Sequence, residues 1–366
     1  MVEPKETQSS ELRYIDLEKQ IWREILTFSD IRILKEKLKK QSKISGEGMS
    51  DSYALQKAKD IQYCIKQAHE YFKSSKVASI SIKPTLIYYA IINLAAAIII
   101  IKKREKSLNS MREAHGLKDK IPDKLKNGDS GISRDDILLI SAEFQDSGTF
   151  TELLGLDLSE YFILPIKHNS SSDTTKDFVQ KINFSLINPD VRELNLSTLF
   201  SNIPEIWKEN RLSLKKESKI YLGEAILNNE NITCRISKEL ITIEEINKNF
   251  SLTENSTVAE SNNNFFFTLP KNTYTTSTPL TKRDIIGNQY LTADRNNDVV
   301  AGDFILYYAT FFILGSLSRY KPSLWRFMIE DSMHGLNTIP EILCDSAYIK
   351  MPLYFLMELD NNFYKI

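Results

Sequence analysis

The sequence predicts an α+β fold, a mainly helical core formed by N- and C-terminal helices with an inserted, mostly antiparallel β-containing middle section. Three observations predict it. Apolar residues before residue 116 and after residue 302 recur at helical spacing or in long runs. Segments between about 132 and 270 are short, β-branched or aromatic, and separated by Gly, Asp, Asn and Ser. The two most apolar stretches, residues 85–101 and 304–317, lie near opposite ends of the chain, and each needs a partner to bury it. The expected division is an N-terminal helical region at 1–130, a β-containing region with Asn/Ser-rich loops at 131–285, and a C-terminal helical region at 286–366 that packs back on the first.

Composition sets few limits on function. In 366 residues, 42% hydrophobic and 26% charged content is ordinary for a globular protein, and a net charge of -1 gives no overall pull toward nucleic acid or membrane. Cys64, Cys234 and Cys344 are scattered and odd in number, which points to core thiols in a reducing compartment. The first residues lack a basic segment followed by an apolar one, so cytoplasmic location is the expectation. Residues 85–101 approach the length of a membrane span, but Asn93 and the Tyr88–Tyr89 pair inside them favour a buried core helix, and no membrane is expected.

Taken in order, residues 51–75 carry Leu55, Ala58, Ile61, Ile65, Ala68 and Phe72 at three- and four-residue steps, one stripe of a helix. The next helix starts at Pro84, where a missing N–H costs nothing, and ends in Lys102, Lys103 and Arg104 or runs on to a stop at Gly116. Strands are expected at 137–144, 161–167, 177–187, 219–226, 232–236 and 264–269, with a helix around 196–208. The Asn-, Ser- and Thr-rich stretch 247–278 reads as long loops around one strand. Helices return after Gly302-Asp303 and near 339–347 and 352–359.

Several chemistries are excluded by motif. There is no Gly-Lys-Ser/Thr, no dinucleotide-binding fingerprint and no G-x-S-x-G elbow, and the four histidines lack H-x-x-x-H spacing. Arg112 and His115, three apart, would share a helix face and form an acid–base pair for RNA cleavage. The plainer reading is a His115 that satisfies carbonyls at a helix end, and the gap is shorter than that of HEPN-type ribonucleases. Asp190, Glu217 and Lys219 match the carboxylate–lysine set of a metal nuclease, in a chain so rich in charge that such matches arise by chance. Basic groups at 35–43 and 102–126 are interspersed with acids and read as solvated faces before a nucleic-acid surface.

The run IQYCIKQAHEYF, the pattern K-P-x-L-x-Y-Y-x-x-x-N-L from Lys83, His115-Gly116-Leu117, and S-R-Y-x-P-x-x-W from Ser318 together resemble the YaaC-like family. The resemblance covers most of the chain and implies a bacterial cytoplasmic protein, but it carries no catalytic residue. Physically, Arg319 and Trp325 flank Pro322 and could meet in a cation–π contact. Tyr88, Tyr89 and Asn93 sit at helical spacing on an apolar element and need hydrogen-bond partners.

The reading is therefore a binding or regulatory scaffold whose polar set, Tyr88, Tyr89, Asn93, His115, Arg319 and Trp325, organises a cleft. Its partner is expected to be a protein or a second copy of the chain, with nucleic acid as a further class, in a bacterial defence or stress module. No cofactor is expected. The rival is a nuclease, working through Arg112 and His115 on RNA, or through Asp190, Glu217 and Lys219 with Mg on DNA.

Overall fold

The computed structural model describes residues 9–11, 16–44, 46, 48–111, 114–126, 131–165, 177–183, 191–216, 218–228, 231–250, 252, 258–270, 281–293, 301–330, 335–360 and 363–365. After a short strand β1 (Ser9–Glu11) come four helices, α1 (Leu17–Phe28), α2 (Ile31–Ile44), α3 (Asp51–Val77) and α4 (Lys83–Lys102). Local chemistry sets their ends. Asp16 accepts from the Lys19 N–H to cap α1, and Ser50 accepts from the Tyr53 N–H to cap α3. Along α3, Ala58, Ile61, Ile65, Ala68 and Phe72 are buried as their spacing predicts, whereas Leu55 is exposed.

Of the two ends expected for α4, it takes the first, stopping at Lys102 instead of running on to Gly116. The Lys57 ammonium, buried on α3, donates to the carbonyls of Lys103 at 2.8 Å and Arg104 at 2.9 Å and so caps the helix. By length and composition α4 would cross a bilayer, yet 61% of its most apolar window is buried inside the protein. It behaves as a core helix.

The middle section holds β2 (Leu117–Lys120), α5 (Asp123–Lys126), α6 (Arg134–Leu138), β3 (Ser141–Phe144), α7 (Thr149–Leu154), β4 (Ser159–Pro165), β5 (Asp177–Asn183), β6 (Glu193–Asn195), α8 (Leu196–Ser201) and α9 (Trp207–Leu212). Strands β2, β3 and β6 form an antiparallel sheet, and β4 pairs with β5 in a hairpin. The strand expected at 137–144 is split, because Ser133 and Asp136 form a reciprocal capping box that starts α6. Likewise the helix expected at 196–208 is broken by a 3₁₀ turn at Pro204–Ile206, where Pro204 has no N–H to continue a ladder.

A six-stranded antiparallel sheet follows, built from β7 (Ile220–Asn228), β8 (Asn231–Ser237), β9 (Ala259–Ser261), β10 (Asn264–Pro270), β11 (Thr281–Arg283) and β12 (Gln289–Thr292) in the order β11-β12-β7-β8-β10-β9. Strict alternation places Ile232, Cys234 and Ile236 of β8 beside Leu269, Phe267 and Phe265 of β10. Helix α10 (Ile243–Asn249) closes that face with Ile246, next to Phe250 just beyond its end. The stretch expected as long loops around one strand contains that strand as β10, and among its described residues also a helix end and the short strand β9.

The chain ends in α11 (Asp303–Tyr320), α12 (Pro322–Glu330), α13 (Ile339–Asp360) and β13 (Phe363–Lys365), the last parallel to β1. Every residue of α11 from Asp303 to Leu317 is buried, so this helix runs through the centre of the body. It lies against α4, with the Thr85 and Ser318 hydroxyls 2.6 Å apart. Two helices expected near 339–347 and 352–359 are one. Pro352 removes an N–H, but burial on both sides of it outweighs a local cost of about 3 kcal/mol. One large core unites helices from both ends with β2 and β3, and a separate core lies under the six-stranded sheet. The fold is α+β, with terminal helices around an antiparallel middle.

Candidate functional site

The family-like motifs converge where α4 crosses α11. Gly315 makes the crossing close: a Cβ there would lie 3.4 Å from that of Tyr88. One turn on, the half-buried Arg319 donates through Nε to the Gly315 carbonyl at 3.0 Å and through Nη1 to the Tyr89 hydroxyl at 2.7 Å. Its guanidinium lies over the rings of Tyr88, Tyr89 and Tyr320, 5.8, 5.3 and 4.9 Å from their centroids. Among the described residues no carboxylate pairs with it.

His115 joins this group from a loop. Gly116, at φ +78°, and Gly148, at φ +128°, pack back to back, and a Cβ on Gly148 would fall 2.3 Å from the Gly116 nitrogen. That contact lets the Phe150 N–H donate to the His115 carbonyl at 2.9 Å, while the Tyr308 hydroxyl donates to the same oxygen at 3.3 Å. The imidazole packs at a tilt against the rings of Tyr88 and Phe312, with centroids 5.5 and 6.3 Å away. Its Nδ1 is buried and has no partner among the described residues, and the fully buried Tyr88 hydroxyl, whose neighbour is the Tyr308 hydroxyl, makes no well-formed hydrogen bond among them. Burial first, and the Arg319 charge second, hold the imidazole below its ordinary pKa, so it is neutral at pH 7.

Measured against the sequence reading, the structure brings Tyr88, Tyr89, His115 and Arg319 together. Asn93 is taken up within its own helix, donating to the Tyr89 carbonyl at 2.8 Å. Trp325 is buried on α12 with an indole N–H that has no partner among the described residues, and tyrosines, not this indole, receive the Arg319 guanidinium. His115 does not sit on a helix, which removes the helical face that was to hold it beside Arg112. Arg112, Asp190 and Glu217 lie outside the described residues. Lys219 uses its backbone to join Ser201 and Ala293. Among the described residues no three metal-ligating side chains converge.

The basic groups are largely neutralised by neighbouring acids. Lys35 and Lys39 both pair with Asp51, Lys102 with Glu358, Lys106 with Glu152, Lys120 with Glu193 and Lys124 with Asp136. A surface cavity of about 460 Å³ beside α9 is lined by Arg211, Lys216 and Lys238, but these are also engaged. Arg211 donates to the Leu240 and Glu239 carbonyls, Lys216 lies 3.2 Å from Asp135, and Lys238 pairs with Glu260.

One polar cluster went unseen in the sequence. The side chains of Lys282 on β11, Asp303 at the start of α11, Lys350 on α13 and Glu205 in the 3₁₀ turn are all excluded from solvent, and Asp303 accepts from both lysines at 2.7 Å. Lys350 also lies 2.9 Å from Glu205, the Tyr307 hydroxyl donates to Glu205 at 3.0 Å, and the Tyr354 hydroxyl donates to Asp303 at 3.0 Å. Burial opposes the Asp303 charge, but the two ammonium groups prevail and hold its carboxyl well below the usual range. Burial pushes the Glu205 carboxyl up. The four residues span 145 positions of sequence with no shared motif, so only their solvent exclusion distinguishes them from ordinary surface charges.

The three cysteines are free thiols in the core. No curated protein and no solved structure matches the chain. A family model does: that of the YaaC-like protein matches residues 26–359, a span that includes α2 to α13 and both motif segments meeting at the α4–α11 crossing. The chain belongs to the YaaC-like protein family.

Proposed function

We propose that this YaaC-like protein is a binding or regulatory protein of the cytoplasm, and that it recognises its partner at the α4–α11 crossing. The observation that carries this reading is Arg319, a half-buried guanidinium held in place by Gly315 and Tyr89 with no carboxylate among the described residues to neutralise it. Partly buried charges are ordinarily paired, because an unpaired one costs stability. A guanidinium without an acidic partner among the described residues, beside a neutral His115 and a Tyr88 hydroxyl for which those residues offer no well-formed acceptor, is an arrangement suited to receiving something from outside. Tyr320, 66% exposed and stacked on the guanidinium, supplies apolar contact area at the rim. A protein partner is favoured over nucleic acid because the basic groups are tied up in ion pairs.

The test is isolation of tagged protein from its own cells, comparing wild type, Arg319→Gln and Tyr320→Ala with the exposed control Arg326→Ala. Partners retained by wild type and the control but lost from both crossing variants support the reading. Identical co-purifying material in all four sinks it.

A further inference from the structure

Resting on that reading of the crossing, we infer that the group received there is an oxyanion, a phosphate or carboxylate, held by Arg319, Tyr88 and His115. A guanidinium carries five N–H donors. Two hydrogen bonds of Arg319 are accounted for, one from Nε and one from Nη1, and neither goes to an anion. The Tyr88 hydroxyl, at a fully buried residue, neighbours the Tyr308 hydroxyl, which donates to the His115 carbonyl, and among the described residues its own O–H finds no well-formed acceptor. The His115 Nδ1 is buried and also has no partner among the described residues, and in the tautomer that carries the proton there it is a third donor. Donors without acceptors, grouped around one positive charge, match a group that only accepts, and the planar fork of arginine fits a phosphate or carboxylate through two parallel bonds.

The tyrosine rings offset part of the charge, by about 0.5–2 kcal/mol for a guanidinium over an aromatic face. They cannot satisfy the hydroxyl or the imidazole nitrogen. The site is also built before any ligand arrives: Nε is fixed by the Gly315 carbonyl, Nη1 by the Tyr89 hydroxyl, and the His115 loop by the Gly116–Gly148 contact. Pre-set donors of this kind bind without first giving up conformational freedom.

The experiment titrates the full chain with sodium phosphate and, separately, sodium succinate, against sodium chloride at equal ionic strength, reading calorimetric heats and the imidazole signal of His115 by NMR. Wild type is expected to bind at least one of the two, and bound anion is expected to raise the His115 pKa by neutralising Arg319. A response to phosphate alone assigns a phosphate ester, and one to succinate alone a carboxylate. Arg319→Gln is expected to weaken binding at least tenfold. Should that variant fold poorly, Tyr88→Phe removes only the hydroxyl and is expected to weaken binding while leaving the fold intact. Wild type that binds neither anion, or undiminished binding in the folded variants, overturns the inference. Partner retention that depends on the crossing without anion binding would leave the recognition reading standing and this one refuted; anion binding with unaltered partner retention would do the reverse.

Discussion

Lys282 and Asp303 lie 2.7 Å apart with both side chains excluded from solvent, and the pair joins the six-stranded sheet to the first turn of the central helix. Asp303 also holds Lys350, which holds Glu205, so two cations and two anions balance in one dry cluster. Asp303→Asn would leave an excess positive charge there. It is expected to cost about 3–5 kcal/mol in urea denaturation, the scale for breaking a buried pair. The double variant Lys282→Met/Asp303→Asn leaves Lys350 with Glu205 and is expected to recover part of that loss. Simple addition of the two single effects would show that the cluster is not coupled.

The Lys57 ammonium is pushed down to about 8 by burial. A lysine whose folded pKa lies below its unfolded value near 10.4 is less protonated in the folded state between those limits, so stability is expected to rise with pH from about 8 to about 10.4. Lys57→Met is expected to flatten that slope and to fray the end of α4. Equal slopes in wild type and variant, measured by denaturation across that window, would remove Lys57 as the cause.

His115 titrates in the opposite sense to a stabilising histidine. Its folded pKa lies below the ordinary value, first through burial and then through Arg319, so the unfolded chain takes up the proton first. Stability is therefore expected to fall as pH drops below about 6.5. His115→Gln is expected to lessen that fall, and Arg319→Gln to raise the His115 pKa in an NMR titration. An imidazole pKa unmoved by Arg319→Gln would show that the two are not electrostatically linked.

Gly116→Ala would place a methyl 2.9 Å from the backbone nitrogens of Phe150 and Thr151, at a φ of +78°. The expected loss is about 1–3 kcal/mol, together with displacement of His115 seen in its ring-proton shifts. Gly287→Ala has a similar φ but open space around it, and is expected to cost less.

Much of this architecture could be read from residue patterns, because apolar periodicity reports burial directly. The stripe on α3, the all-round apolar α4 and α11, and the alternation in β8 and β10 each follow from it. What failed was decided by single contacts at a distance. The end of α4 near Lys102 was legible, but the Lys57 ammonium that holds the carbonyl just beyond it comes from 46 residues away in sequence, a spacing that no local pattern encodes. Pro352 reads as a helix stop until packing on both sides of it is known. In the candidate site, Tyr88, Tyr89 and Arg319 were legible as polar residues on apolar helices, whereas the burial of Lys282, Asp303, Lys350 and Glu205 was not, since charge alone predicts the surface.

The position of α11 at the centre of the body has a consequence for how the chain is made. Its intended neighbour α4 leaves the ribosome about 200 residues earlier. At about 5–20 residues per second, that greasy helix waits roughly 10–40 seconds for its mate during synthesis. Through that interval the nascent polypeptide is a client for holdase chaperones, and translation that stalls between the two helices would leave a product prone to aggregate.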